Sequence, residues 1–367
     1  MNKCHIAYLA CTAALLGTSL GAAPSTAAAH TVRLVKPGDS IQRAVDAARP
    51  GDTVLLGHGV HHGSVDVTTP GITLRGMGRG TVLRPEAATG ASGTAKAAKA
   101  ASAASGTCAA AGNGICVTGT KGDSVEGVTI SALTVTGFRK TGVHARFAEA
   151  LTVRNVTAAG NGVWGIATER SPRGVFRGNT ARDNGDAGLF LANTVTEEEG
   201  ASDAGGTVVE RNRLEGNRIG LTVRRLRNLT VAGNRLTGNC AGVFVVGDEN
   251  KPKAGRVTVL GNRIERNNKS CPKTARLDAL QGSGIVLTGT DENLITQNVI
   301  RDNAGSSPLS GGIVVFKSFV GTPSERNRIS DNLLSGNSPA DLVNTDPGVG
   351  NTFQGNSCAS SQPAGLC

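Results

Sequence analysis

Short aliphatic strands in strict alternation recur down the chain, each closed by a fixed polar phrase. LTVAG runs into NRLTGN from Asn234, and VTVLG runs into NRIERN from Asn262. Six copies of the phrase stand in register: those two, NTARDN from Asn179, NRLEGN from Asn212, NVIRDN from Asn298 and NLLSGN from Asn332. Most are followed by a Gly-led apolar strand: GLFL from Gly188, GLTV from Gly220, GVFV from Gly242, GIVL from Gly284 and GIVV from Gly312. One unit therefore reads strand, tight turn, strand, turn, strand. Alternation buries one face of each strand, which turns Val257, Val259, Ile264, Ile285 and Leu287 inward within one unit. Such a unit has no core of its own. Stacked units do, with parallel strands about 4.8 Å apart. The first Asn of each phrase is assigned to the bend, because Asn tolerates left-handed backbone. Stacked Asn side chains are expected to hydrogen-bond from rung to rung.

First-Asn spacings of 33, 22, 28, 36 and 34 residues make the shortest the bare rung and the excess loop. The loops fall after the Gly-led strand (194–206, 247–255 and 318–325) and before it (268–283 and 304–310). LTVRNVTAAGN from Leu151 fits less well, with its first Asn displaced by one. Near the start, Asp39 as N-cap with Gln42 three on, then Ile41, Ala44, Val45 and Ala48 on one stripe, predict a short amphipathic helix ended by Pro50-Gly51. It would cap the open end of the core. Ala87 to Asn113 is Ala/Gly/Ser/Thr-rich without pattern. Lys3, an apolar stretch from Ile6 to Leu20 and the small residues Ala27 to Ala29 read as a secretory signal cleaved before His30. The expected division is signal 1–29, then one domain 30–367. Within it lie the cap and first rungs 30–86, an excursion 87–116, regular rungs 117–356 and a tail 357–367.

The opening VKPGDSIQRAVDAARPGDTVLLGHGVHHGSVDV from Val35, together with the repeated Asn phrases, resembles the right-handed parallel β-helix superfamily. That group includes pectate lyases, polygalacturonases, mannuronan C5-epimerases and the copper-maturation protein of nitrous oxide reductase. The resemblance covers nearly the whole mature chain and implies an all-β fold, a three-strand parallel β-helix with an N-terminal capping helix. It is unspecific for reaction, because the repeats specify architecture.

Cysteine usage agrees with export. Cys4 and Cys11 lie in the signal, and six cysteines remain. Cys108 and Cys116 bracket one small loop, and Cys358 and Cys367 bracket the tail. Cys240 follows Asn239, while Cys271 lies four past the matching Asn267 one rung on, so these two are expected to pair. No CxxC or His–Cys cluster supports a metal site, and the residues name no cofactor. A formal charge of +10 and a pI near 9.5 favour an acidic partner. With 3% aromatics, sugar-binding clefts and single-strand nucleic-acid channels, which both lean on aromatic platforms, are disfavoured alike. No second apolar run suggests a membrane anchor. The expected partner is an anionic polysaccharide or cell-envelope polymer, met outside the cell by a monomer.

Several phrases match enzyme motifs only in part. Gly57-His58-Gly59 and Asn344-Thr345-Asp346 echo polygalacturonases but lie in reversed order at opposite ends of the solenoid. Arg170-Ser171-Pro172 begins a pectate lyase phrase whose second Arg is replaced by Val175, and the Asp-Pro-His-Asp phrase of mannuronan epimerases is missing. Glu197, Glu198, Glu199 and Asp203 form an acidic loop without calcium-loop spacing. His61-His62 lacks a third copper ligand.

In the resembling families, the outer face of the Gly-led strand is the substrate groove. Counting two and four past each Gly gives its outward residues: His144 and Arg146, Ala167 and Glu169, Phe190 and Ala192, Thr222 and Arg224, Phe244 and Val246, Val286 and Thr288, Val314 and Phe316. The first half is charged and the second apolar. An apolar stripe is either a groove or a surface roofed by loops, roofing being favoured for Phe244 and Phe316. The functional expectation is a lyase, epimerase or hydrolase of a uronate-type polymer. His144 or Lys317 would be the base, and Arg146, Glu169, Phe190, Arg224, Phe244 and Phe316 would bind substrate. A non-catalytic envelope binder and a copper-maturation-type accessory protein are the alternatives. A second surface carries Arg213, Arg235 and Arg263 on successive rungs beside Glu215, Thr237 and Glu265. It is either a solvated, salt-bridged face or a ladder for a polyanion.

Overall fold

The computed structural model describes residues 30–86, 106–275, 277–318 and 320–367. The signal segment and the heart of the low-complexity excursion lie outside them. Thr31 to Cys367 form one compact unit, a right-handed parallel β-helix. Strands stack by register into three long parallel sheets of 13, 10 and 11 strands. One rung shows the order. Thr152–Arg154 belongs to the first sheet, Thr157–Ala159 to the second and Ile166–Glu169 to the third, and Val175–Arg177 begins the next rung. The Gly-led strands all lie in the third sheet. The core runs up the middle: Val257, Val259, Ile264, Ile285 and Leu287 are fully buried, as alternation requires.

The corners of the second sheet correct the assignment of the bend. The left-handed residue is the one before each Asn, not the Asn itself. Gly178, Arg211, Gly233, Gly261, Gln297 and Asp331 hold positive φ before the first Asn of the six phrases. Asp183, Gly216, Gly238, Arg266, Asp302 and Gly336 do so before the second. The Asn that follows turns inward, where its amide satisfies backbone groups that the corner would otherwise leave bare. Asn212 is typical. Its Oδ1 accepts from the backbone N–H of Asn179 at 2.9 Å and from its Nδ2 at 3.0 Å. Its Nδ2 donates to Phe176 O and to Asn234 Oδ1, both at 2.9 Å. All four amide positions are used. One ladder climbs from Asn179 to Asn356. The other climbs from Asn161 to Asn337 and ends on buried Asp341, which accepts from the last amide at 2.8 Å. The misfit rung is now explained. Asn155 occupies the left-handed position (φ 54°) and Val156 the ladder position, with the Val156 N–H donating to Asn179 Oδ1.

The Gly that opens each third-sheet strand has a steric cause. A Cβ on Gly188 would meet Gly220 O at 2.8 Å and the Asn217 amide at 2.9 Å. The next rung's backbone leaves no room for any side chain there.

At the N-terminal end a helix spans Ile41–Asp46 with Ile41 and Val45 buried. Its N-cap is Ser40, one residue later than expected, and the Ser40 Oγ accepts from Arg43 N. Asp39 instead accepts from Lys36 N. Gln42 is no capping-box partner: it pairs with the backbone of Asp66 through both amide atoms. The three expected disulfides are present, Cys108–Cys116, Cys240–Cys271 and Cys358–Cys367. They fit an extracellular or periplasmic location. The described end of the excursion is ordered earlier than its expected boundary at 116: Cys108–Ala111 is a short helix and Ile115–Thr118 already a third-sheet strand. Among the described residues no helix is long and apolar enough to cross a membrane.

Asn239→Ala would remove four buried hydrogen bonds and strand the Asn217 N–H and amide. The expected loss is on the order of 3 kcal/mol or more, read from the urea unfolding midpoint. A loss under about 1 kcal/mol would make the ladder dispensable.

Candidate functional site

The outward residues of the third sheet stand where the counting puts them. His144, Ala167, Phe190, Thr222, Phe244, Val286 and Val314 form one row, and Arg146, Glu169, Ala192, Arg224, Val246, Thr288 and Phe316 the other. Their environments split sharply along the sheet.

Over the C-terminal two-thirds the row is roofed. Phe190, Phe244 and Phe316 are 7, 2 and 9% exposed and belong to a second apolar cluster outside the coil, with Leu280, Val286, Leu309 and Val314. They offer no open sugar-facing surface. The roof is pinned from below. Buried Arg218 donates to Pro272 O (2.6 Å) and Asp278 O (3.0 Å), and Cys240–Cys271 staples the same loop. Arg224 is also structural: its Nη1 donates to Thr194 O and Val195 O at 3.1 and 2.9 Å. It holds a loop where a substrate carboxylate was expected. Buried Arg225 ion-pairs with Glu198 and Asp248.

The acidic loop is likewise neutralised by the protein. Arg170 engages Glu197, and Glu199 at 2.7 Å. His61 is buried against Gly57 O while His62 is exposed, so the two rings face apart. Lys317 is exposed at the end of Gly311–Phe316, six strands from Val143–Arg146. That is about 29 Å at strand spacing, too far to share a site with His144.

The N-terminal end of the face is open. A cleft of about 570 Å³ lies there, lined by Lys140, His144, Arg146, Trp164, Glu169 and Asp186, with Asn113 on one side and Val195-Thr196 on the other. His144 Nε2 lies 3.4 Å from Glu169 Oε1, both half-buried. Burial works against the Glu169 charge. The hydrogen bond and charge of His144, the charge of Arg146 and the Val195 backbone N–H outweigh it, and the carboxyl stays below its ordinary value. Arg146 is exposed and lies 5.2 Å from the centre of the Phe147 ring, with Arg170 at 5.6 Å. Trp164 forms a wall. Its ring stacks on Phe190 at 4.4 Å, and its Nε1 donates to Asp186 Oδ2 at 3.0 Å.

His144, Arg146 and Glu169 are thus brought together, and Lys140, Trp164 and Asp186 are additions that outward counting missed. Extending the count backwards from the glycine would have found them. Lys140, Asp186 and Arg218 stand two before their Gly, and Trp164 one before.

Comparison with known proteins supports the fold. A family model described as right handed beta helix region matches residues 104–254, and one described as periplasmic copper-binding protein (NosD) matches 196–364. Among solved structures, the A-module of mannuronan C-5 epimerase AlgE4 from Azotobacter vinelandii is similar at TM-score 0.56 and 19% identity, over 88% of this chain and 91% of that one. The tailspike protein gp49 from Acinetobacter baumannii bacteriophage Fri1, a capsular polysaccharide depolymerase, reaches 0.57 at 11% identity, over 91% of this chain and 57% of that one. DFA-IIIase from Arthrobacter chlorophenolicus A6 reaches 0.53 at 13% identity, over 86 and 80%. The search of curated proteins returned no match. The residues do not fit the copper of the second family model. The stretch 196–364 contains no His or Met, and its cysteines are joined in disulfides, which leaves none of the soft donors copper prefers. Asp66 lies close to Cys108 and Cys116, but both sulfurs there are spent in a bridge.

Two measurements test this division of the face. Phe244→Ala should destabilise by about 3–5 kcal/mol, as buried Phe losses do, read by chemical denaturation; a near-neutral change would mean an open groove. Because the folded pKa of Glu169 is lowered, its contribution is present above the unfolded value near 4.3. It fades as pH falls through the lower folded value. The difference in Tm between wild type and Glu169→Gln should therefore shrink on acidification, in melts between about pH 3 and 7.

Proposed function

We propose that the chain, which belongs to the right-handed parallel β-helix superfamily, is exported and works on an acidic, uronate-type carbohydrate polymer. The polymer lies across the open end of the third sheet, with one uronate in the cleft at His144. The observation that carries the reading is the pairing of His144 with an ionised Glu169 beside Lys140 and Arg146 in one partly covered cleft. The relatives named above give independent support, since a mannuronan epimerase and a capsular polysaccharide depolymerase share the architecture.

The chemistry such a cleft supports is proton abstraction beside a carboxylate. Lys140 and Arg146 would screen the uronate carboxylate, which makes its C5 proton more acidic. With the Nε2–H of His144 directed at Glu169, the ring keeps its lone pair on Nδ1 and can accept that proton. The electron pair of the C–H bond moves into the carboxylate as an enediolate. It then either expels the glycosidic oxygen from C4, which leaves as a hydroxyl with a proton taken from solvent while a C4–C5 double bond forms, or takes a solvent proton on the opposite face of C5. Hydrolysis has less support, because Glu169 is held by His144 and Asp186 by Trp164.

Alginate, pectate and a glycosaminoglycan, with neutral dextran as control, separate these possibilities. Retention on immobilised polymer, formation of unsaturated uronate and exchange of deuterium at C5 would be followed together. His144→Ala should abolish turnover and spare retention, whereas Lys140→Gln should weaken retention. Retention without turnover would leave a binder. Loss of selectivity for polyuronates over dextran would overturn the reading.

A further inference from the structure

A second charged surface lies on a different face of the coil and takes no part in the cleft. On the outward row of the second sheet, Arg213, Arg235 and Arg263 are direct neighbours in register. The row tells against a structural need for them. The same position carries Thr134, Thr157 and Thr180 on the rungs before, and Val299 and Leu333 on the rungs after. Thr, Val and Leu all satisfy the fold there. Like charges stacked at strand spacing repel, so the fold gains nothing by bringing three arginines together.

The stripe is wider than these three. Arg154 and Arg177 are register partners at the adjoining edge of the first sheet, and Arg211 and Arg266 occupy corners beside Arg213 and Arg263. All are exposed. Three of the seven meet carboxylates: Arg177 with Glu210, Arg213 with Glu215, and Arg263 with Glu265 at 2.7 Å. Arg154, Arg211, Arg235 and Arg266 have no acidic partner within 4 Å among the described residues. The result is an exposed line of guanidinium groups crossing five rungs, about 19 Å at strand spacing.

We infer that this stripe is a second, non-catalytic binding face for a linear acidic polysaccharide, the same class of polymer that the cleft engages. The inference rests on the proposed function for the identity of the polymer, and on the stripe's own geometry for the site. The surface is open, linear and rung-periodic, which suits an extended chain with one negative group per sugar. Its cations are Arg, whose planar fork matches a carboxylate with two parallel hydrogen bonds. No exposed aromatic side chain stands among the arginines to stack a base. Two faces engaging separate stretches of one polymer would raise retention through effective concentration, without any change at the cleft.

The free arginines allow a clean test. Gln297 already holds the left-handed corner position (φ 55°) that Arg211 occupies three rungs earlier, so Arg211→Gln keeps the turn, and Arg235→Gln and Arg266→Gln remove two more charges from exposed sites. The triple variant and wild type would be compared for binding to long alginate chains on a surface, across a range of salt, and to a free uronate trisaccharide. The variant should bind the long chain on the order of tenfold more weakly at low salt. Its salt dependence should be shallower by about two counterions, at roughly 0.7 per lost contact as for flexible polyanions. Trisaccharide binding should not change. Equal long-chain affinity and equal salt slope would overturn the second face and leave the cleft reading intact. A trisaccharide that fails to bind wild type, while the long chain binds through these arginines, would sink the cleft and support the stripe. Failure of wild type to bind the long chain at any salt would overturn both.

Discussion

Everything in this molecule hangs on the buried amide at the corner. A parallel coil must turn sharply twice at the edges of its second sheet, and each turn buries backbone N–H and C=O groups where no strand can pair them. A left-handed residue makes the turn, and the Asn after it carries the hydrogen bonds from rung to rung. The two Asn of a phrase stay five apart in all six copies, while the distance between successive rungs ranges from 22 to 36 residues. Insertion inside the phrase would break two ladders at once, and an unmade buried hydrogen bond is expensive. Length variation is therefore pushed to the edges of the third sheet, where loops leave and rejoin the coil.

That displacement makes the third sheet the functional face. Insertions rise on both sides of it and can do one of two things. Over Phe244 and Phe316 they close on the sheet and become core, pinned by Arg218 and by Cys240–Cys271. The rungs of His144 and Glu169 carry no insertion of their own: Thr134 and Thr157, and Asn161 and Asn184, are each 23 residues apart. The loop at 194–199, anchored by Arg224 and Arg225, stands as a wall instead of a roof. The cleft is thus the place where bare rungs lie next to an inserted loop.

The periodic part of this structure was legible in the sequence. Inward residues, outward rows, Cys240–Cys271 and the Asn ladders all follow from alternation and phrase spacing, because a rung repeats the same geometry as its neighbour; Cys108–Cys116 and Cys358–Cys367 follow from closeness in sequence alone. What was missed is local or long-range. The left-handed residue before Asn varies among Gly, Asp, Arg and Gln, so it has no compositional signal, whereas Asn is conspicuous and drew the assignment. Ser40 rather than Asp39 caps the first helix because Asp39 is engaged by Lys36 N, a contact no capping rule foresees. Arg224 looked like a ligand because its register is outward, yet register does not say that a loop thirty residues earlier in the chain will bring two carbonyls to it. Lys317 was named as an alternative base to His144 by side-chain chemistry alone, and the stacking axis places it six strands from the cleft. Lys140, Trp164 and Asp186 were legible in principle, since they align at fixed offsets before the glycine.

A repetitive fold also supplies its own test for which residues serve function. Each outward position recurs on many rungs, so the requirements of the fold can be read from the row itself. Where a row carries Thr, Val and Leu interchangeably, stacking asks only for a side chain that tolerates the pleat. Residues that depart from the row in a costly direction need another explanation. Three arginines in line on the second sheet depart in that way. So does His144, in a row otherwise filled by Ala, Phe, Thr and Val, and so do Arg146 and Glu169, in the neighbouring row that carries Ala, Val, Thr and Phe beside Arg224. The two departures lie on different faces, and each places exposed cations against solvent: Lys140 and Arg146 at the cleft, and the line of arginines on the second sheet. A ligand with regularly spaced negative charges satisfies both, and a compact anion would satisfy only the cleft.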